Sequence, residues 1–390
     1  MTGKIFSPLE MIERLVSFDT TSAKSNLELI AFVEDYLDSH GIRHHRFANS
    51  EGNKSNLLCS VGPDVKGGIV LSGHSDVVPV TDQAWDSDPF TAVAKDGLLY
   101  GRGTADMKSF LAIALAMVPT FKESKLTKPI HIALSYDEEV GCLGVGSMIE
   151  GLKDVIPTPS IVLVGEPTSM QVVNAHKGVF GFHTTIDGQA AHSSLPHLGA
   201  SANLAAGRLV NLIADLAEEK RQSASADCPF EPPYTTFNVG QINGGTALNI
   251  VPRHCEFVWE FRLLPGDDAQ AIIARYEAAV AEEVLPYLRA TFPAAQITTR
   301  SICTVPPLEP EENGAAEALA CHLTGANATN VVAYGTEGGM FQAAGLSTVV
   351  CGPGSIEQAH KPNEFIALSQ VEACETFMRK LAAWLSHPST

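Results

Sequence analysis

The chain has 390 residues, too many for one ordinary hydrophobic core, so two domains are expected. Its side chains are 45% apolar, and 44 acidic against 26 basic residues leave a net charge of −18, which argues against nucleic acid or an anionic membrane as partner. Eight cysteines lie scattered without a C-x-x-C pair, no stretch approaches the roughly 20 apolar residues that cross a bilayer, and MTGKIFSPLEMIERL lacks the apolar run of a signal peptide; reduced thiols and a cytoplasmic location are expected.

In chain order, Ser7-Pro8-Leu9-Glu10 has the form of a capping box opening a helix through Val16, and Asn26 begins a second helix that Gly41 ends. Short apolar runs bounded by glycine then follow at 67–73 (GGIVLSG), 129–136 (PIHIALSY), 160–166 (SIVLVGE) and 347–352 (STVVCG), with helical patterns at 105–120 and 369–385. Continuous apolar strands alternating with helices predict a buried, mostly parallel sheet. From about 178 the strands alternate apolar and polar residues, with strands near 177–187, 235–243, 253–263 and 295–302 and helices near 199–218 and 267–288. That βαββαβ order is ferredoxin-like. The expected architecture is therefore α/β: a discontinuous domain of residues 1–177 and 303–390 with a mixed, mostly parallel sheet, and an inserted α+β domain at 178–302.

Ligands of open parallel sheets gather beyond the carboxyl ends of the strands. There GGIVLSG hands off to His74 and Asp76, PIHIALSY to Asp137, Glu138 and Glu139, and SIVLVG to Glu166; the loop after STVVCGPG carries His360, and Asp106 opens the helix after YGRGT. Each has an ordinary reading as a turn, a helix cap or solvated surface. Together they do not, because carboxylates gathered at one edge repel unless a cation neutralises them, and mixed carboxylate and imidazole donors suit zinc, cobalt or manganese. In extended chain His74 and Asp76 share a face, so one can bind metal while the other orients it, whereas Glu138 and Glu139 point apart, leaving one ligand and one candidate base.

The motifs GHSDVVP, YGRGTADMK, DEEVGCLG, GEPT, GQAAHSS and AHKPNE resemble, in order and over nearly the whole chain, those of the M20 family of dinuclear zinc peptidases and deacylases. YGTEGGMFQAAGLSTVVCGPGSIEQAHKPNEF is most similar to the members that deacetylate an N-acetylated amino acid. The resemblance implies two zinc ions, His74 and Glu166 on one, Glu139 and His360 on the other, Asp106 bridging, Asp76 orienting His74 and Glu138 as general base. Met107 departs from the acidic residue or asparagine that usually follows the bridging aspartate, which bears on the cis peptide the family carries there. It further implies that the inserted domain is a lid and dimerisation domain, and that His192 supplies an oxyanion donor to the partner subunit of a homodimer.

For an N-acyl amino acid substrate, Arg262 and Asn249 resemble residues that grip the carboxylate, which the planar fork of arginine suits. Gly335 and Thr336 open a helix whose free N–H groups favour an anion, and Lys177 is a further candidate. Glu337 could meet a cationic side chain of the substrate. Two other classes compete. One is a serine hydrolase on Ser75, disfavoured because Val77 stands where a nucleophile turn needs glycine; the other is a non-catalytic amino-acid binding protein, against which the ligands and base are all present. A nucleotide loop at YGRGT lacks the third glycine.

Overall fold

In the computed structural model, which describes residues 3–387, the chain forms two compact units. The first takes the chain up to Ala175, Leu308–Val331 and the chain from Thr336 onward; the second takes His176–Pro307 with Val332–Gly335. The outer limits expected at residues 1 and 390 lie outside the described residues.

An eight-stranded mixed sheet organises the first unit. Its central strands, in spatial order Ile130–Ser135, Ile69–His74, Ile161–Pro167 and Ser347–Gly352, are parallel neighbours, so their carboxyl ends share one edge. The first three are buried at every residue, as continuous apolar runs require of strands covered on both faces. Helix Lys108–Ala116, KSFLAIALA, is also buried throughout; it packs on the Ile69–His74 strand and against helices Pro8–Val16 and Leu368–Ser386. A helix apolar all round belongs in an interior. Pro8–Val16 begins with the expected capping box, in which Ser7 Oγ accepts from the Glu10 amide and the Glu10 carboxylate accepts from Ser7 N–H.

Some expectations shift. The helix expected over 105–120 starts only at Lys108 and ends at Ala116, and a second one, Val118–Glu123, begins around Pro119, which has no N–H to donate to a continuing helix. An antiparallel hairpin of Arg43–Ala48 and Ser55–Val61, absent from the sequence reading, extends the sheet beside Ile130–Ser135. Val173–His176 and Asn330–Val332 lie at the other end, and Phe365–Ala367, Leu98–Tyr100 and Val93–Lys95 form a small separate sheet.

The second unit is an antiparallel sheet in the order Thr236–Gly244, His254–Leu263, Gly178–Asp187, Gln296–Val305. Helix Ala202–Gln222 separates its first two strands in sequence; Ala269–Ala279, continuing through a π turn into Leu285–Arg289, separates the last two. In His254–Leu263 burial alternates residue by residue, and Phe180 stacks on Phe261 at 4.8 Å between centroids while Phe182 stacks on Trp259 at 4.5 Å and on Phe261 at 5.9 Å. Trp259 Nε1 donates to Thr184 Oγ1 at 3.2 Å, so the one polar group of that ring keeps a partner.

Candidate metal centre

Three adjacent parallel strands deliver the first side chains. His74 is the last residue of its strand, 1% exposed, and Glu166 lies near the end of Ile161–Pro167, 4% exposed. Gly165 precedes Glu166 because nothing larger fits: a Cβ there would stand 2.0 Å from the Phe110 ring. Beyond Ser135 the chain turns at Asp137, whose φ of 57° is left-handed, and its carboxylate leaves for Lys54 Nζ at 2.5 Å. Gly141 and Cys142 N–H then both donate to Glu138 O at 2.9 Å. The segment is thus a turn and not extended, and it still sends the two carboxylates to separate groups, Glu138 with His74 and Glu166, Glu139 with His74 and Asp106. Asp106 is no helix cap, since Met107 occupies that position; the Asp106–Met107 peptide is cis although methionine follows.

Asp106 sits between two imidazoles. Its Oδ1 is 3.0 Å from His74 Nε2 and its Oδ2 is 3.4 Å from His360 Nε2. On the His74 side stand Glu166 Oε1 at 3.6 Å and Glu138 Oε2 at 4.0 Å; on the other side His360 Nε2 meets Glu139 Oε2 at 3.0 Å. His74, Asp106 and Glu139, and likewise His74, Glu138 and Glu166, bring one donor atom each within 4.8 Å of one another.

Two like charges about 4 Å apart repel by roughly 4 kcal/mol even at an effective dielectric near 20, so these four carboxylates cannot all stay ionised on their own. The titration directions agree. Burial, with Glu139, Asp106 and Glu337 adding, raises Glu138 to about 8 against the pull of His74. Burial and then Asp106 hold Glu166 well above its usual value, and Glu139 is raised in the same way. Hydrogen bonds to Asp106 and Glu139 raise His360 to about 10, while burial on His74 is outweighed by Glu166, Asp106 and Glu138. Glu166 Oε1 is buried without a hydrogen-bond partner. Crowded hard oxygen donors, two imidazoles and an orphaned carboxylate oxygen fit divalent cations, with Asp106 offering one oxygen to each side.

His74 is oriented differently from expectation. Its Nδ1 bonds the Asp76 main-chain carbonyl at 2.9 Å, with the Asp76 carboxylate at 3.6 Å. That carboxylate instead accepts from Ser22 Oγ at 2.7 Å and from the amides of Glu138 and Glu139 at 3.1 and 3.3 Å, so Asp76 holds the turn that carries both glutamates. Ser75 is fully buried, donates to Ser135 O at 2.6 Å and accepts from Asn26 at 3.1 Å, which leaves it no path to a substrate. Glu337 is 1% exposed, hydrogen bonded to Ser135 and within 3.5 Å of Ser72 Oγ; burial raises it to about 7, and it is not placed to meet a solvent-borne amine.

Lys177 is also engaged elsewhere: its Nζ donates to the carbonyls of Pro232 and Tyr234, both at 2.7 Å, which fills the role expected of a substrate carboxylate. The helix expected to open at Gly335 and Thr336 spans only Gly338–Ala343, and Thr336 Oγ1 takes the Gly338 N–H at 3.0 Å. Within the second unit, Ser193 N–H donates to Asn249 O and His192 bridges Ile250, so the His192 and Asn249 segments run side by side and exposed. His192 Nδ1 accepts from the Ser194 amide, which places the proton of a neutral ring on Nε2. Arg262 pairs with Glu260 at 3.1 Å on the sheet.

Several neighbours escaped the sequence reading. Cys142 Sγ donates to Glu138 Oε1 at 3.3 Å, Ser22 holds Asp76, and Glu364 with Arg102 lies under the Asp106 loop. The available signal was proximity in sequence: Cys142 follows DEE closely and Glu364 closes AHKPNE.

Residues 70–384 match the profile of peptidase family M20/M25/M40. The chain is 33% identical over 377 residues to an acetylornithine deacetylase of Myxococcus xanthus, covering 95% of this chain and 96% of that protein. It is 33% identical over 389 residues to another from Proteus mirabilis, covering 98% and 97%. An M20 family metallo-carboxypeptidase of Sulfolobus solfataricus shares the fold with a TM-score of 0.73 at 17% identity, over 98% of this chain and 99% of that one. Its sequence, its sheet and the acid-rich centre at the sheet edge agree, and the chain belongs to peptidase family M20/M25/M40 as a metal-dependent hydrolase.

Proposed function

We propose that the protein removes the acetyl group of N2-acetyl-L-ornithine, releasing L-ornithine and acetate in arginine biosynthesis. The observation that carries the chemistry is Asp106 presenting one oxygen to His74 and the other to His360, with Glu138 partly buried beside them. Two whole-length relatives named acetylornithine deacetylase support the substrate.

In this reading His74 and Glu166 would hold one zinc ion, Glu139 and His360 a second, and Asp106 would serve both, with cobalt or manganese as substitutes. Bound cations would supply Lewis acidity and would make a water acidic enough to lose its proton near neutral pH. Glu138 takes that proton as oxygen adds to the acetyl carbon, then delivers it to the ornithine nitrogen as the C–N bond breaks; the products are free amine and acetate. His192, protonated on Nε2, is the proposed oxyanion donor, acting in the partner subunit of a homodimer. Asn249, Arg262 and the backbone at Gly335 and Thr336 serve the substrate carboxylate, and residues 178–302 form the ferredoxin-like lid and dimerisation domain. The location is proposed to be cytoplasmic; no helix among the described residues is long and apolar enough to cross a membrane.

The test is a substrate panel run together with metal analysis. N2-acetylornithine should show the highest kcat/KM, with two metal ions per chain, loss of activity on chelation and recovery with zinc or cobalt. A preference for N-succinyl-diaminopimelate, for neutral N-acyl amino acids or for peptides with free carboxyl ends would reassign the protein to a desuccinylase, an aminoacylase or a carboxypeptidase. Activity that survives a strong chelator would instead overturn the reading of a catalytic metal centre.

A further inference from the structure

Glu364 is 1% exposed and every lone-pair direction of its carboxylate is taken. Its Oε1 accepts from the amides of Ala105 at 2.8 Å and Asp106 at 3.1 Å; its Oε2 accepts from the Gly103 amide at 3.0 Å and from Arg102 Nη1 at 2.7 Å. Its own carbonyl accepts from Gly101 N–H at 2.9 Å. One glutamate thus organises the backbone from Gly101 to Asp106, four residues after His360.

Arg102 ties this arrangement back to the histidine. Its guanidinium, also 1% exposed, donates to Lys361 O at 3.3 Å and to Gln83 Oε1 at 2.6 Å, and Gln83 Nε2 donates to His360 O at 3.1 Å. The ring of Trp85 lies 5.2 Å from it. The loop bearing Asp106 and the loop bearing His360 are therefore joined through a buried ion pair and its neutral neighbour Gln83.

A carboxylate between two cations must keep both oxygens aimed, and its aim follows the φ angle and amide of its own residue. Charge-assisted bonds from Ala105 and Asp106 N–H to Glu364 fix that amide. Partners that orient ligands in this way typically govern metal affinity by about 10- to 100-fold. We propose that Glu364, clamped by Arg102, is a positioning residue that sets the spacing of Asp106 and His360 and thereby the metal affinity of the centre. This rests on the reading of Asp106 and His360 as metal ligands.

The experiment is competition for zinc between the full-length enzyme and a chelator of known affinity, well below the melting temperature, with kcat and KM measured at saturating metal. Glu364→Gln keeps the shape but turns an NH2 toward amide donors; Arg102→Lys keeps the charge but cannot reach both Gln83 and Lys361. Zinc affinity should fall about 10- to 100-fold in Glu364→Gln and by a smaller factor in Arg102→Lys and Gln83→Ala, with kcat returning toward wild type when zinc is raised and KM nearly unchanged. A purely structural role would lower the melting temperature and leave the competition curve of the folded enzyme unmoved, which would overturn the proposal. Should Glu364→Gln not fold, the other two variants decide by the same criterion. Asp106→Asn is the control: unaltered zinc binding there would remove the ligand reading itself, whereas weakened binding there beside normal binding in the Glu364 and Arg102 variants would remove only the positioning role.

Discussion

The two units bury different things. The first is built on parallel strands covered on both faces, and at their carboxyl edge it encloses Asp106, Glu166, His74, Arg102 and Glu364, all nearly without exposure. The second stacks Phe180, Phe182, Trp259 and Phe261 on one face of an antiparallel sheet and leaves His192 and Asn249 exposed on loops. A sheet closed on both sides can hold charges at fixed separations because packing and backbone amides surround them; a half-covered sheet sends its polar side chains to solvent. The candidate ligands of the first unit are gathered within that unit, while His192 and Asn249 of the second lie on exposed segments held mainly by local hydrogen bonds.

That contrast can be broken first at Glu138. Glu138→Gln should lower kcat by about 10²- to 10⁴-fold while metal content stays at the wild-type level, since general acid–base catalysis contributes on that order. Turnover within tenfold of wild type would show that the crowded edge of the first unit does not supply the base. His192→Asn should lower kcat by about 10²- to 10³-fold, the usual effect of losing one oxyanion donor, with no change in metal content or melting temperature. If instead only KM rises, His192 binds the ground state and is no oxyanion donor.

Lys177 sharpens the comparison from the other side, because it is a buried charge in the second unit. Lys177→Met strips the Pro232 and Tyr234 carbonyls of their donor and should destabilise the protein by about 1–3 kcal/mol in urea unfolding while leaving KM unchanged. A raised KM at unchanged stability would restore the substrate role. The smallest effect concerns His131, buried in the first unit with Nε2 unpartnered and, by burial, held down from 6.5 to about 4. Between those values the unfolded chain takes up a proton that the folded protein refuses, so stability is full above about 6.5 and declines as pH falls through the window, by on the order of 2 kcal/mol at pH 5. The drop in melting temperature from pH 7 to pH 5, at saturating metal, should shrink in His131→Gln; an identical drop would assign the acid sensitivity elsewhere.

The legible parts of the fold were those where one physical demand dominates. STVVCG is read directly as the strand Ser347–Gly352, and HCEFVWEFRL shows its buried alternation letter by letter. The hairpin Arg43–Val61 was missed because RHHRFA carries few apolar residues and is paired on one edge only, so its strand state comes from its neighbour. At the site, the hand-off from strand end to acid or imidazole brought His74, Glu166 and the DEE segment together, but not the turn that the left-handed Asp137 makes there in place of extended chain. Lys177 and Glu364 were illegible for a shared reason: apart from Arg102 on Glu364, their partners are main-chain carbonyls and amides, which no letter of the sequence marks.

Gly165 carries a consequence of another kind. The hydrogen that stands in for its side chain rests against Phe110, so the interior of the helix layer and the strand bearing Glu166 meet there with no slack. Any inherited change in the girth of that aromatic residue is transmitted to a candidate ligand one position away, and drift in the hydrophobic interior is thereby policed by the chemistry it surrounds.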